Sequence, residues 1–174
     1  KNVAVIGAGT MGNGIAHLFA QYDFRVQLID VDTGQLKRAI SNIALNLDRQ
    51  IAKGTLDPSR KEKILERLRI STQLAEAVHD ADLVIEAATE NETLKKQLFK
   101  NLDEHTSSSC ILASNTSSIS ISLLASVTNK ADKVIGMHFM NPVPVMKLVE
   151  VINGRQTAVS TTDQIVELSR HPGI

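Results

Sequence analysis

Val3-Ala4-Val5-Ile6-Gly7-Ala8-Gly9-Thr10-Met11-Gly12 is the stretch on which the fold turns. Four apolar residues run into a glycine-rich segment that satisfies G-x-G-x-x-G, and a helical pattern follows immediately. In that setting the three glycines have separate tasks. Gly7 permits a tight turn, Gly9 lets backbone N–H groups approach a pyrophosphate, and Gly12 allows the helix to lie close on the strand, so that the helix N-terminus faces the anion. Gly7, Ala8, Gly9, Thr10, Met11 and Gly12 are therefore candidate contacts to a dinucleotide.

Working outward, the apolar spacing predicts a helix over 11–21 and a second strand over 26–29 that ends at Asp30, which makes a βαβ unit. From Thr33 the residues Leu36, Ile40, Ile43, Leu47 and Ile51 recur at three- and four-residue steps, one buried stripe on a long helix that Gly54 ends. Asp57 before Pro58 reads as a cap followed by proline at the first helical position, which predicts a helix over 58–68 with Ile64, Leu65 and Leu68 inward. Further strands are expected at 70–72, 83–86, 110–113, 134–138 and 148–152, and helices at 92–104, 120–127 and 161–169. This alternation, with strands apolar on both faces, predicts an α/β domain of the Rossmann type over residues 1–174: a doubly wound, mostly parallel sheet with helices on both faces and right-handed crossovers.

Composition narrows the class of partner. With 43% hydrophobic and 22% charged residues, a chain of this length buries one good core. Nineteen basic residues balance nineteen acidic ones and tryptophan is absent, which argues against nucleic acid and for a small molecule. No apolar run is long enough for a membrane span. The single cysteine, Cys110, lies in an apolar strand and can form no internal disulfide, which suggests a reducing compartment, the cytoplasm in the first instance. The chain opens without methionine, so a trimmed start is expected and the mitochondrial matrix stays open.

Asp30 ends the second strand eighteen residues after Gly12, where a carboxylate can accept hydrogen bonds from the adenosine ribose hydroxyls and would repel a 2′-phosphate. Val31, Asp32 and Thr33 supply no arginine for such a phosphate, so the cofactor expected is NAD and not NADP. The plain alternative for Asp30 is a helix N-cap. A third constellation is Ser114-Asn115-Thr116-Ser117-Ser118, then His138-Phe139-Met140-Asn141-Pro142, then Glu150. Small polar residues directly after an apolar strand fall at the carboxyl edge of the sheet, where open α/β sheets bind ligands. His138 there can accept the proton of a substrate hydroxyl while a hydride leaves the adjacent carbon, and Glu150 can orient the imidazole and stabilise its protonated form. Spacing alone leaves a hydrogen-bonded structural histidine equally open.

The run from Gly7 to Gly12, Glu86-Ala87-Ala88-Thr89-Glu90-Asn91, Ser114 to Ser118, and His138-Phe139-Met140-Asn141-Pro142-Val143-Pro144-Val145-Met146-Lys147-Leu148-Val149-Glu150 together resemble the L-3-hydroxyacyl-CoA dehydrogenase family, in particular its 3-hydroxybutyryl-CoA members. The likeness covers nearly the whole chain. It implies an NAD-dependent, reversible oxidation of an (S)-3-hydroxyacyl-CoA to the 3-oxoacyl-CoA, as in fatty-acid β-oxidation, with His138 as base, Glu150 as its carboxylate partner and Ser117 on the 3-hydroxyl near the nicotinamide. It implies NAD contacts at Asp30, Glu90, Lys95, Ser117 and Asn141, and substrate contacts at Asn46, Lys53, Lys95 and Ser117, with Asn46 and Lys53 on the CoA. A solvated lysine is the plain alternative for Lys95, and a solvated helix face for Asn46 and Lys53. The family continues into an all-helical second domain that dimerises and adds an asparagine to the site, and a homodimer through it is expected for the whole protein. It also places a further strand before a Pro-Gly junction, against which residues 169–174 look compressed. His17, His79, His105 and His171 have no metal-ligand spacing, and no metal is expected. A dehydrogenase of a free hydroxy acid or sugar acid and a nucleotide-binding protein without turnover are the rival readings.

Overall fold

The structure is a computed structural model that describes residues 1–170. Strand β1 (Asn2–Ile6), helix α1 (Thr10–Gln21) and strand β2 (Arg25–Ile29) form the opening βαβ unit, with β1 and β2 parallel. After them come α2 (Thr33–Ala52), α3 (Arg60–Glu66), β3 (Leu68–Ser71), α4 (Leu74–Val78), β4 (Leu83–Glu86) and α5 (Glu92–His105). The remainder is β5 (Ile111–Ser114), α6 (Ile121–Ala125), β6 (Val134–Phe139), β7 (Val149–Asn153) and α7 (Val159–Ser169).

The seven strands form one sheet in the order β3-β2-β1-β4-β5-β6-β7, parallel throughout except for the β6–β7 pair. Central strands have no solvent face, and β4 and β5 are buried at every residue, as parallel strands covered on both sides must be. The two faces carry separate cores. One contains Val3, Val5, Ile15, Phe19, Leu28 and Ile43. The other contains Ala4, Ile6, Val84, Phe99, Leu102 and Leu112. Alternate residues of β1 thus feed opposite layers, as the two-residue period of a strand requires. Strand order reverses at β1, which lies between β2 and β4, so a crevice opens beyond the carboxyl ends of β1 and β4.

The expected elements are present, with three adjustments. The helix expected over 58–68 is shorter at both ends: it begins at Arg60 after an N-cap at Ser59, with Asp57 accepting from the Ser59 N–H and hydroxyl in the turn before it, and it stops at Glu66 because Leu68 belongs to β3, where it is buried and pairs with Val26. The inward spacing of Ile64 and Leu68 fits a helix face equally well, and sheet pairing decides between them. Helix α4 and a 3-10 turn over Ala131–Lys133 were not signalled by any long apolar period. Strand β7 runs antiparallel to β6 because the connection over 140–148 is shorter than the dozen or so residues that a parallel crossover needs. His171, the Pro-Gly junction and the compression expected there lie outside the described residues.

Candidate active site

Gly7 stands at φ 98°, a left-handed conformation in which side chains are strained, and its N–H donates to the Ile29 carbonyl at 2.8 Å. A Cβ on Gly12 would lie 1.7 Å from the Gly7 carbonyl oxygen, so helix α1 can approach the turn only with glycine there. Gly9 differs from both. A Cβ at Gly9 would meet nothing within 4 Å, so the open space above it belongs to no part of the chain. The N-terminus of α1 begins at Gly9 with no side-chain cap and no acidic residue in its first turn among the described residues. Open space over unpaired helix N–H groups fits the pyrophosphate of a dinucleotide.

Asp30 is not a helix cap. The N-cap of α2 is Asp32, which accepts from the Gly34 and Gln35 N–H groups. One oxygen of Asp30 accepts from the Ala8 N–H at 2.7 Å and the other from the Asp32 N–H at 2.9 Å, so its carboxylate braces the glycine turn from β2. A groove of about 530 Å³ runs from this turn along α2, lined by Ala8, Gly9, Thr10, Asn46, Arg49 and Asn141. It joins three of the expected cofactor contacts in the turn to Asn141 and to Asn46. Lys53 is exposed at the C-cap of α2, beyond the groove.

At the other end of the sheet edge, antiparallel pairing sets His138 of β6 directly opposite Glu150 of β7. Cross-strand neighbours on one face stand within side-chain reach. The result is a 2.7 Å hydrogen bond from His138 Nδ1 to Glu150 Oε2. Because an ionised carboxylate only accepts, Nδ1 carries the proton, and Nε2 is the atom left to act as a base. Both residues line a cavity of about 310 Å³ together with Ser117 and Ile152. Ser117 sits exposed in the turn after β5, and that turn is tied to β6 by Asn115, whose side-chain oxygen accepts from the Phe139 N–H at 2.9 Å. Asn115 was not singled out from the sequence.

Beneath these residues lies a buried ionic cluster that sequence reasoning only partly foresaw. Lys95 is 1% exposed, so it is no solvated lysine. The inward face of α5 is Lys95, Phe99 and Leu102, while Leu94 is exposed. The Lys95 ammonium donates to Glu86 Oε1 at 2.6 Å and to the Ala88 carbonyl at 3.2 Å, and lies 3.4 Å from Glu90 Oε2. Glu90 in turn accepts from the hydroxyls of Thr116 and Ser118. Burial raises the Glu90 carboxyl, but those two hydroxyls and the Lys95 cation together outweigh it and hold it below the ordinary glutamate value. Glu86 closes an apolar strand, and its acidic type there was the one available signal. Among the described residues no group of histidine, cysteine and carboxylate side chains could hold a metal ion, and no helix is long and apolar enough to cross a membrane.

Comparison with known proteins bears on this geometry. A family profile described as "3-hydroxyacyl-CoA dehydrogenase, NAD binding domain" matches residues 2–173. The probable 3-hydroxybutyryl-CoA dehydrogenase of Bacillus subtilis is 44% identical over 99% of this chain and 60% of its own length. Human mitochondrial hydroxyacyl-coenzyme A dehydrogenase is 41% identical over 99% of this chain and 57% of its own. The crystal structure of (S)-3-hydroxybutyryl-CoA dehydrogenase from Ralstonia eutropha superposes with a TM-score of 0.95 at 45% identity, covering 99% of this chain and 60% of that one. The chain thus spans about 60% of the length of such relatives.

Proposed function

This chain belongs to the 3-hydroxyacyl-CoA dehydrogenase family as its NAD-binding domain, and from that premise we propose that the protein carrying it oxidises an (S)-3-hydroxyacyl-CoA, short-chain such as 3-hydroxybutyryl-CoA, reversibly to the 3-oxoacyl-CoA. The observation that carries the reading is the His138–Glu150 pair at 2.7 Å, facing one cavity with Ser117 at the ligand edge of the sheet. The Ser117 hydroxyl holds the substrate 3-hydroxyl, and His138 Nε2 takes its proton. Glu150 steadies the imidazolium that results, the role a carboxylate plays beside a catalytic histidine. NAD supplies the hydride acceptor. The Gly-rich turn and Asp30 hold the adenosine and pyrophosphate end of the dinucleotide. Glu90 and Asn141 serve the end nearer the cavity, and Lys95, buried behind Glu90, sets where that carboxylate stands. Asn46 in the groove and the exposed Lys53 offer donors to the CoA.

Bacillus subtilis and human relatives named for hydroxyacyl-CoA substrates support the choice of thioester. A helical second domain that dimerises and completes the acyl pocket belongs to the same reading of the whole protein, as does a cytoplasmic location, which the free, buried Cys110 suits. The deciding experiment is turnover of full-length His138→Gln, followed by NADH absorbance. Loss of a general base lowers kcat by about 10² to 10⁴. NAD affinity should stay near that of the parent, since His138 stands at the far end of the sheet edge from the Gly-rich turn. A variant with normal kcat would show that the proton leaves by another route.

A further inference from the structure

Where the ends of β4, β5 and α5 meet, Glu86 is completely buried and uses both carboxylate oxygens. Its Oε1 accepts from Lys95 Nζ at 2.6 Å and from the Ala88 N–H at 2.7 Å, and its Oε2 accepts from Ser114 Oγ at 2.6 Å. From those two oxygens run two chains of hydrogen bonds. One passes through Lys95 to Glu90, and from Glu90 to the hydroxyls of Thr116 and Ser118. The other passes through Ser114, whose Oγ accepts from the Thr116 N–H at 3.2 Å. Both chains end on the turn that contains Ser117: the first on Thr116 and Ser118, which flank it, and the second on Thr116. Thr116 belongs to both, through its hydroxyl to Glu90 and its N–H to Ser114, and its hydroxyl also accepts from the Ile119 N–H at 2.9 Å, which fixes the far side of the turn.

Fold stability alone gives no reason for such a pair. Two charges taken out of water cost heavily, and apolar side chains of similar volume commonly serve a core as well or better. What an ion pair with every oxygen and proton directed gives instead is a fixed geometry. Here that geometry sits directly under the cofactor and substrate residues. Glu90 is the member that reaches solvent, with its side chain 41% exposed, whereas those of Glu86 and Lys95 are 0% and 1% exposed. The buried part of the cluster therefore aims the exposed part.

The geometry points to Glu86 as a positioning residue of the nucleotide and substrate site: one oxygen holds the Lys95 ammonium, through which Glu90 is aimed, and the other holds the turn that presents Ser117. This rests on the proposed reading that Glu90 and Ser117 meet NAD and the substrate hydroxyl. With Glu86 neutral, Lys95 turns to Glu90 as its only carboxylate, and Glu90 leaves Thr116 and Ser118.

The test uses the full-length protein with Glu86→Gln, with Ser114→Ala, and with the double change Glu86→Gln/Lys95→Met, which removes both charges at similar volume. Thermal unfolding, NAD affinity by calorimetry, and kcat and KM for 3-hydroxybutyryl-CoA are measured on each. Glu86→Gln lowers the melting temperature, and the double change restores much of it because no buried charge is left alone. NAD affinity in the double variant nevertheless stays about tenfold weaker than in the parent, the size of one lost charge-assisted hydrogen bond. Ser114→Ala, the mildest change, keeps the ion pair and NAD affinity while kcat falls, since only the link to the Ser117 turn is gone. If NAD affinity recovers together with stability in the double variant, the cluster only stabilises the fold and the proposal is overturned. Parent kcat in Ser114→Ala overturns the second arm whether or not the other variants fold. Failure of the parent to bind NAD is a different result: it removes the functional reading itself, and the positioning role with it.

Discussion

Asp30 accepts from the Ala8 N–H and so braces the glycine turn, and in the proposed reading the same carboxylate also accepts from the ribose hydroxyls. Asp30→Ala should therefore weaken NAD binding and at the same time relax discrimination against NADP, since the same charge that accepts from hydroxyls repels a 2′-phosphate. Calorimetric dissociation constants for the two dinucleotides check this, and a parent protein that binds NADP as tightly as NAD contradicts it. The places of Asp30, Gly7 and His138 in the fold were legible in the sequence because a tight turn or a strand end fixes each. Glu86 and Lys95 were not legible as a pair. They are nine positions apart on different elements, and only the packing of α5 over β4 and β5 brings their charges to 2.6 Å. Asn115 was missed for a related reason: its bond to the Phe139 N–H depends on how β5 and β6 lie side by side.

Elements with long, regular apolar periods were legible almost to their ends, as α2 shows with Leu36, Ile43 and Leu47 all buried on one face. Short ones were not: α4 has five residues, and the end of α3 is decided by Leu68 joining the sheet. Helix α1 contains a feature that pattern reading passed over, His17, which is completely buried in a helix otherwise lined by Ile15, Ala16, Leu18 and Phe19. Burial lowers its pKa to about 4, with the Gln21 side chain partly offsetting the shift. The folded value lies below the unfolded 6.5, so the unfolded chain binds this proton first. His17 therefore favours the folded state fully above pH 6.5, and that contribution is lost as pH falls towards 4, to a total of about 3 kcal/mol at most. Denaturant titrations from neutral pH downwards should show this slope in the parent and a shallower one in His17→Leu. Equal slopes would mean that His17 titrates alike in both states.

At the scale of the whole molecule, cofactor and substrate place different demands on the chain. The dinucleotide is served from within the sheet edge: the glycine turn, Asp30, the groove along α2 and the cluster under Glu90 all belong to residues described here. In the proposed reading the acyl group meets a different surface. Val145, Met146 and Leu148 stand exposed in the connection between β6 and β7, beside the strand that carries Glu150. Relatives are longer, the chain spanning about 60% of their length, and exposed apolar side chains of this size are where a covering element would seat. Residues 1–174 by themselves should then fold cooperatively, since both faces of the sheet carry buried apolar cores, and should bind NAD through the glycine turn. They should turn over 3-hydroxybutyryl-CoA poorly, because a general base acts only on a hydroxyl held in place, and positioning contributes as much to the rate as the base does. Calorimetry with NAD on the 174-residue chain, run beside steady-state assays of that chain and the full-length protein, separates the two demands. NAD binding with kcat/KM reduced at least about a hundredfold is the expected pair of results, the loss that misplacing a substrate by an ångström produces. Near-full activity of the 174-residue chain would show that the cavity around His138 holds the acyl group unaided; loss of NAD binding would show that the sheet edge does not suffice for the cofactor either.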